Sequence, residues 1–274
     1  MNSFTNIELD VQRAADAIRT ADALLIGAGA GMGVDSGLPD FRGDAGFWRA
    51  YPPFRGRRFA EMSNPRWFRA DPQLAWGFFG HRMNLYRSAV PHRGFTLLRK
   101  WAEHMPRGYF VFTSNVDGQF QRAGFPEERI VECHGSIHYL QCTADCGSGI
   151  WPAGETSVEV DMDTIRARSE LPRCPSCQAL ARPNIMMFGD WQWDPARTSQ
   201  QLANYQQWLG DVRASEVVAI ELGAGLAIPT VRWECEARGQ VLIRINPREA
   251  DAPGGIALPL GAADALARVN ALLS

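Results

Sequence analysis

One stretch, residues 23 to 43, constrains the fold more than any other part of the chain. An apolar run of strand length, residues 23–26, leads directly into a segment with glycine at every second position from Gly27 to Gly33, and a Pro-Asp-Phe-Arg turn follows. Glycine allows positive φ and lets the backbone approach a ligand closely. A strand that ends in such a loop is a candidate phosphate-binding site. The alternative is a flexible turn that binds nothing.

The loop does not match the common dinucleotide-binding pattern G-x-G-x-x-G. A register that begins at Gly29 places Val34 where the third glycine belongs, and the neighbouring registers fail in the same way. The segment instead resembles the sirtuin signature, in which Gly-Ala-Gly precedes Ser-Gly-Ile-Pro-Asp-Phe-Arg by a few variable residues. Residues 29–31 and 36–42 match it. The family usually carries a serine where this chain has Gly33.

The chain is long enough for one large domain or two small ones. It has 274 residues, of which 46% are hydrophobic, so a full core is expected. A formal net charge of −2 gives no overall attraction to nucleic acid or to an anionic membrane, and neither is expected as a partner. Residues 1–10 lack the pattern of a signal peptide and no apolar run approaches a membrane span, which predicts a cytoplasmic protein. The sequence does not indicate an oligomeric state.

Strand-like and helix-like segments alternate along the chain. Strands are predicted at 23–26, 109–113, 130–132, 217–222 and 241–246, and helices at 7–20, 95–104, 200–209, 228–238 and 262–273. This alternation predicts an α/β fold with a doubly wound parallel sheet. Such sheets bind ligands beyond the carboxyl ends of their strands. Function is therefore expected in the loops that follow the predicted strands.

The resemblance implies a Rossmann-like NAD-binding domain with two insertions. The large domain would comprise residues 1–43, 96–136 and 183–274, and the small domain would combine a helical module at 44–95 with a zinc-binding module at 137–182. Aromatic residues are frequent in the helical module, where proline-rich turns predict several short helices. These side chains either line a groove or form the core of the module.

Polar side chains follow the predicted strand at 109–113. The sequence Thr113-Ser114-Asn115-Val116-Asp117 resembles the family's Thr-Gln-Asn-Ile-Asp. Asn115 offers a donor and an acceptor, and ionised Asp117 accepts only, a pair suited to ribose hydroxyls and the nicotinamide amide. The alternative is a helix cap, a position that both residue types favour. The resemblance implies that Asn115 and Asp117 orient the nicotinamide ribose, while Ser114 is shorter than the family's glutamine.

His134 follows the predicted strand at 130–132. Histidine exchanges a proton near neutral pH, and Gly135 beside it would let a ligand approach. A structural role is the alternative, but the residue matches the family's His-Gly, which implies that His134 is the general base.

Four of the six cysteines form two close pairs. Cys142 and Cys146 are separated by three residues, Cys174 and Cys177 by two, and 27 residues lie between the pairs. Four thiolates with no open position are typical of a structural zinc site. Free thiols or a redox pair are the alternatives.

Residues 182–190 resemble the family's Arg-Pro-x-Val-Val-x-Phe-Gly-Glu, with Asp190 in place of the glutamate. In sirtuins this segment borders the acyl-lysine tunnel and pairs with the peptide by main-chain hydrogen bonds, a form of strand addition. The residues implied to bind the substrate are Ile185, Met186, Phe188 and Gly189.

Further resemblances extend the cofactor site. Residues 223–226 correspond to the family's Gly-Thr-Ser-Leu, residues 245–249 to its Ile-Asn-x-Glu region, and residues 261–264 to the segment near the adenine. The complete set implied to bind NAD is Gly29, Ala30, Gly31, Gly33, Asp40, Phe41, Arg42, Ser114, Asn115, Asp117, His134, Gly223, Ala224, Gly225, Asn246 and Ala263.

Arg82 lies where relatives that remove acidic acyl groups have a Tyr-x-x-Arg pair, but Phe79 replaces the tyrosine. A buried guanidinium without an anion is costly. We therefore expect Arg82 to face water, and an acidic ligand is the alternative.

The implied activity is NAD-dependent deacylation of an acylated lysine on a protein or peptide. The acyl oxygen attacks C1′ of the ribose, nicotinamide leaves, and the acyl group ends on ADP-ribose. An NAD hydrolase or ADP-ribosyltransferase is the alternative, because residues 33, 114, 224 and 225 simplify the cofactor pocket. A non-catalytic NAD or ADP-ribose sensor is a third possibility, against which His134 argues.

Overall fold

The computed structural model describes residues 3–40, 43–212 and 217–273. The strands are β1 (Ala23–Ala28), β2 (Tyr109–Thr113), β3 (Ile130–Glu132), β4 (Gly135–Cys142), β5 (Ile150–Pro152), β6 (Val160–Asp161), β7 (Arg166–Ala167), β8 (Ala181–Ile185), β9 (Val217–Leu222), β10 (Val241–Ile245) and β11 (Ile256–Leu258). The α-helices are α1 (Ser3–Thr20), α2 (Gly43–Ala50), α3 (Phe59–Met62), α4 (Trp67–Ala70), α5 (Pro72–Ser88), α6 (Arg93–Ala102), α7 (Gln119–Arg122), α8 (Ala196–Asp211), α9 (Thr230–Arg238) and α10 (Ala262–Leu273). Short 3₁₀ helices cover Ala30–Ser36, Pro52–Phe54 and Glu127–Arg129.

Six strands form a parallel sheet in the order β11-β10-β9-β1-β2-β3. Every residue of β1, β2 and β9 is buried, as expected for central strands that are covered by helices on both faces. Helices α1, α6 and α10 pack on one face over Leu24 and Ile26, and α8 and α9 pack on the other over Leu25 and Phe110. The prediction of a doubly wound α/β sheet is confirmed.

A second lobe joins the helices between residues 43 and 88 to the cysteine region. Strands β5, β4 and β8 form an antiparallel sheet, and β6 pairs with β7. Trp76 and Phe78 of α5 share one core with Leu140 of β4 and Ile165, and the Trp76 indole donates to the carbonyl of Ala181 at 2.9 Å. The helical and zinc-binding segments therefore form one small domain, as predicted. The residue limits of the domains stay a prediction.

The structure differs from the predicted elements in the second lobe. Residues 72–88 form one 17-residue helix rather than several short ones, because Asp71 caps its first turn and Pro72 occupies the first helical position. Strands β4 to β8 of the second lobe, and β11 of the parallel sheet, were not predicted. Strand β4 mixes polar with apolar residues and so has no continuous apolar run, and β11 has only three residues.

A buried ion pair lies within the parallel sheet. Glu221 of β9 is directly opposite Arg244 of β10, with 2.8 Å between Nη2 and Oε2, and neither side chain is more than 2% exposed. Arg232 of α9 lies 3.8 Å from the same carboxylate. The pair sits one residue before β9 ends, so it fixes the place where the following loop leaves the sheet.

Among the described helices, none combines the length and the apolar character that crossing a membrane requires.

Candidate functional site

A cavity of about 670 Å³ opens beyond the carboxyl ends of the parallel strands. Its walls include loops that follow four of them: Gly29 after β1, residues 114–117 after β2, His134 after β3, and residues 223–225 after β9. The second lobe supplies the opposite wall. The position agrees with the rule that doubly wound sheets bind ligands at this edge.

The glycine loop packs closely against the loop that follows β9. A side chain at Gly29 would place its Cβ 2.6 Å from the Cα of Ala224. Gly223 has φ +59°, and a Cβ there would lie 2.4 Å from Gly31. The amide of Gly31 donates to the carbonyl of Gly223 at 3.0 Å. Close approach of two backbones therefore requires these glycines, in addition to any contact with a ligand.

The loop after β2 is fixed by hydrogen bonds to its neighbours. The Asn115 amide nitrogen Nδ2 donates to the carbonyl of Gly29 at 3.0 Å, and its backbone N–H donates to Oγ1 of Thr113. Asp117 accepts the backbone N–H of Gln119 at 2.9 Å, so its Oδ1 closes an Asx-type turn before α7, whose N-cap residue is Gly118. Both residues also line the cavity, which leaves them able to bind a ligand.

Burial shifts the pKa of two titratable groups on the cavity wall, Asp117 and His134. Burial raises the pKa of Asp117 to about 6, and the nearby Arg82 guanidinium opposes the rise. Burial lowers the pKa of His134, which a hydrogen bond to the Ser114 backbone partly offsets. At neutral pH the imidazole is therefore neutral and can accept a proton.

His134 is held by main-chain contacts on both sides. Its carbonyl accepts the N–H of Met186 at 2.9 Å. Gly135 has φ +75°, and a Cβ there would lie 2.1 Å from the carbonyl oxygen of Asn184. The close approach of the β8 backbone therefore requires glycine at position 135, and the expectation that Gly135 lets a ligand approach His134 stays a prediction.

The segment that follows β8 is anchored by a buried ion pair. Asp190 and Arg182 are at most 3% exposed, and Nη1 of Arg182 donates to Oδ1 of Asp190 at 3.0 Å. Arg182 also donates to the carbonyl of Ile185, and Oδ2 of Asp190 accepts the N–H of Met187. The pair fixes the turn at residues 188–189 and holds residues 185–188 along the cavity wall.

Arg82 does not face water, so that expectation is wrong. Its side chain is buried, and the residue is 5% exposed. The guanidinium donates to the Tyr86 hydroxyl from Nε and Nη2 at 3.1 and 2.9 Å. It lies 5.4 to 5.8 Å from the ring centroids of Phe59, Phe78, Phe79 and Tyr86, and cation–π attraction offsets the cost of burial. An acidic ligand for Arg82 stays a prediction.

The four predicted metal ligands meet in the second lobe. The sulfur atoms of Cys142, Cys146, Cys174 and Cys177 all lie within 4.8 Å of one another. The separations Cys142–Cys177 and Cys146–Cys174 are both 3.5 Å. Sulfurs about 2.3 Å from a tetrahedral zinc ion are about 3.8 Å apart, so the arrangement fits the metal. Four thiolates leave no open position, which is typical of a structural site.

The geometry agrees with the comparisons to known proteins. The model of the Sir2 family matches residues 29–209. The chain therefore belongs to the Sir2 family. A relative called NAD-dependent protein deacylase from Thermococcus sibiricus is 32% identical over 181 residues, 66% of this chain and 65% of that relative. NAD-dependent protein deacylase 2 of Pyrobaculum aerophilum is 32% identical over 235 residues, 85% of this chain and 84% of that protein.

A solved structure shares the fold of this Sir2-family chain. A crystal structure described as a Sir2 homologue–NAD complex superposes with a TM-score of 0.68 at 24% identity, covering 96% of this chain and 94% of that one. At this identity the likeness concerns the fold alone.

Most of the predicted residues of this Sir2-family site lie on the cavity wall. The predicted residues that line it are Gly29, Ala30, Asp40, Ser114, Asn115, Asp117, His134, Ile185, Met186, Phe188, Gly223, Ala224 and Gly225. Phe41 and Arg42 lie outside the described residues. The remaining predicted residues, Gly31, Gly33, Gly189, Asn246 and Ala263, are not among the lining residues.

Three of those remaining residues, Asn246, Ala263 and Gly33, contact segments near the cavity instead. Asn246 is fully buried and donates to the carbonyl of Ala224 at 3.0 Å, so it positions the loop after β9. The N–H of Ala263 donates to Oδ2 of Asp35 at 2.8 Å, where α10 begins. Gly33 faces Leu38, whose side chain would lie 3.2 Å from an added Cβ.

Sequence reasoning missed several lining residues, five of them between residues 58 and 86 of the second lobe. They are Leu38, Pro39, Arg58, Phe59, Ala60, Ser63, Tyr86, Val116, Met187, Ala227 and Ile228. Of the aromatic residues in the helical module, only Phe59 and Tyr86 are among those that line the cavity, and most of the others form the core. No periodic pattern in the sequence separates the aromatic residues that line the cavity from those that form the core, because their positions depend on contacts with β6–β8.

Proposed function

We propose that this chain is an NAD-dependent protein lysine deacylase that transfers the acyl group to ADP-ribose and releases nicotinamide. The observation that carries the proposal is the cavity itself. It brings a neutral His134, Asn115 and Asp117 between a glycine loop and the segment that follows β8. The relatives called NAD-dependent protein deacylases support the same activity.

The residues present fit NAD. Asn115 and Asp117 offer a donor and an acceptor for the nicotinamide ribose, and Ala30 lines the cavity at the N-terminus of the 3₁₀ helix Ala30–Ser36, where backbone N–H groups could face the phosphates. Gly223, Ala224 and Gly225 form a small-residue wall suited to the second ribose. Bound NAD would supply the activated ribose carbon and the nicotinamide leaving group.

His134 would act as the general base. Its buried, neutral imidazole would accept the proton of a ribose hydroxyl after the acyl oxygen has become attached to the ribose. Asn115 is held against the carbonyl of Gly29, so its remaining polar atoms would orient the ribose and a water molecule. Asp117 would stabilise positive charge that develops near the sugar.

The acylated lysine would enter along the segment that follows β8. Met186 and Phe188 are 42% and 39% exposed, although both line the cavity. An extended peptide would pair with this backbone by strand addition, and the acyl chain would extend toward His134. Arg82 on the wall supports testing an acidic acyl group beside an acetyl group.

The zinc site would act on structure alone. Its four sulfurs belong to the second lobe, and a metal with four thiolate ligands binds no water that could react.

Nicotinamide release measured with and without acylated peptide tests the proposal. We expect release that depends on an acetylated or succinylated peptide, with one acyl-ADP-ribose formed for each nicotinamide. Release without peptide would support an NAD hydrolase instead, and transfer of labelled ADP-ribose to protein would support an ADP-ribosyltransferase. Binding of NAD without release of nicotinamide would support a non-catalytic NAD sensor.

Replacement of the proposed base gives the first specific prediction. H134A should lower kcat for nicotinamide release by about 100-fold or more, because it removes the proposed general base. His104 is exposed just after the end of α6 and is not among the residues that line the cavity, so H104A is the matched control. Unchanged turnover in H134A would remove His134 from the mechanism.

A further inference from the structure

Residues 55–69 present an unusually basic surface beside the cavity. Arg55, Arg57, Arg58, Arg66 and Arg69 are all exposed, and Glu61 is the single acidic residue in this stretch. The whole chain has a net charge of −2, so the positive charge is local. We call these five residues the arginine surface. We propose that the arginine surface binds acidic side chains that lie next to the acylated lysine in the substrate, an inference that rests on the proposed deacylase function.

The arginine surface adjoins the path proposed for the peptide. The N–H of Phe188 donates to the carbonyl of Ser63 at 3.0 Å, and Nδ2 of Asn64 donates to the carbonyl of Phe188 at 3.0 Å. The rings of Phe59 and Phe188 meet edge to face at 6.2 Å. Residues 59–64 are therefore fastened to the end of the substrate segment. A peptide that extends past Phe188 would therefore run close to residues 59–64, which the exposed Arg58 and Arg66 flank in the sequence.

Two of the arginines are held in place by one aromatic ring. The guanidinium carbons of Arg57 and Arg66 lie 5.5 and 4.8 Å from the centroid of Trp67. The indole of Trp67 in turn donates to the carbonyl of Glu61 at 2.6 Å. Stacked guanidinium groups lose less side-chain entropy when they bind a carboxylate, because their planes are already oriented.

The charge of the surface is only slightly neutralised within the part of the chain described. Glu61 pairs with Arg58 at 3.3 Å, and that Arg58 side chain is 69% exposed. Charges on exposed groups act over about 8 to 10 Å at physiological salt. The surface can therefore select residues within a few positions of the lysine, and it does not attract acidic proteins over long distances.

Fluorescence anisotropy with labelled peptides tests this inference. Each peptide contains one acetyllysine. Two glutamates, two glutamines or two lysines lie within four positions of it, in one set of three peptides before the acetyllysine and in a second set after it. We expect the glutamate peptide to bind about five- to tenfold more tightly than the glutamine peptide on one side only, and this preference to disappear at 1 M salt. Equal affinity for the three peptides would overturn the proposal.

Substitutions that change charge and preserve packing identify the surface. R57Q/R66Q keeps the long stems that pack on Trp67 and should abolish the preference, R57E/R66E should reverse it, and R57K/R66K should restore it. The control K100Q/R107Q removes the same charge from exposed positions at the other edge of the sheet, and the preference should persist. A preference retained in R57Q/R66Q would assign it to another part of the chain.

The design separates this inference from the proposed function. If the glutamine peptide supports nicotinamide release in every variant, the deacylase function holds whatever the anisotropy shows. If no peptide supports release, that function fails, while the binding preference is still measured directly. A labelled single-stranded oligonucleotide forms the last arm. The oligonucleotide could bind more tightly than the glutamate peptide and lose this binding in R57Q/R66Q. That result would assign the surface to nucleic acid and overturn the proposal.

Discussion

Asp117 lies in a buried position, where the charged form of a carboxyl group is unfavourable. The residue is 8% exposed, and burial raises its pKa from the ordinary value of 3.8 to about 6, although Arg82 nearby favours the ionised form. The folded state therefore binds the proton of this carboxyl more tightly than the unfolded state does. Stability from this group is fully present below pH 4 and is lost as the pH rises through 6.

Replacement of Asp117 by asparagine should raise stability and reduce activity. Above pH 7, D117N should increase the free energy of unfolding by about 1 to 3 kcal/mol, because it removes a buried charge and retains the acceptor for Gln119. If ionised Asp117 is needed, kcat/KM of the wild-type protein should fall below a midpoint near pH 6. Urea unfolding and a pH–rate profile measure both effects.

A matched control separates local from general effects of that change. Asp163 is exposed on the turn after β6, so D163N should alter neither stability nor the profile. A lower stability of D117N at pH 8 would contradict the explanation by burial.

Single residues also mark the limit of what the sequence could predict at the site. Asn115, Asp117 and His134 follow strands that are recognisable from apolar runs, so their common location could be derived. The burial of Arg82 could not, because it depends on rings from α3 and α5 that meet only in three dimensions. Arg232, which donates to the carbonyl of Ala224 at 3.2 Å, has no sequence signal at all.

Among the structural elements, the turn after β8 is the one most dependent on a single interaction. Arg182 and Asp190 are buried together, and between them they bond the backbone of residues 185, 187 and 192. Aspartate is one methylene shorter than the family's glutamate, yet it still reaches Arg182. The fold therefore accommodates Asp190, although it departs from the family's sequence.

Removal of the Arg182 charge should destabilise the protein and disturb peptide binding. R182M should lower the free energy of unfolding by about 3 to 5 kcal/mol, because it leaves the Asp190 carboxylate buried without its partner. Peptide KM should rise more than kcat falls, since the disturbed backbone borders the peptide and not the base. Chemical denaturation and steady-state kinetics test the two statements.

The double variant R182M/D190N should recover most of the lost stability, because no unpaired charge remains. The control is R168Q, which breaks an ion pair with Asp161 on the surface, where Arg168 is 63% exposed, and should cost less than about 1 kcal/mol. An equal cost for R182M and R168Q would contradict the role given to burial.

At the scale of the whole molecule, two lobes meet at the cavity. The parallel sheet could be predicted because its central strands are mostly apolar segments that alternate with helices, even though β9 and β10 each contain one charged residue. The second lobe could be predicted only in outline. Its core combines α5 with strands more than 50 residues further along the chain, and such distant contacts leave no periodic signal.

The shared core predicts that loss of zinc affects helices that contain no cysteine. C174S/C177S should lose about one bound zinc ion per chain, and hydrogen exchange should increase in α5 as well as in β4 and β8. Strands β1, β9 and β10 should keep their protection, because they belong to separate cores. Metal analysis and exchange measured by mass spectrometry test this.

The control for that experiment is C133S, which lies outside the cysteine cluster and should retain the metal. Full zinc occupancy in C174S/C177S would refute the site. Exchange that increases only around the cysteines would show that the two segments are energetically independent.

The pairing of Glu221 with Arg244 has a consequence for how the sheet assembles. A buried ion pair contributes little net stability, but a carboxylate opposite an apolar neighbour is strongly unfavourable, so the pair discriminates against misaligned strands. Slippage of β9 by one residue would turn its side chains to the wrong face and displace its end by about 3.3 Å. The loop at residues 223–225 would move with it, out of reach of the glycine loop. We therefore expect the pair to favour the native register of β9 and β10, and so to fix this part of the cavity wall whether or not a ligand is bound.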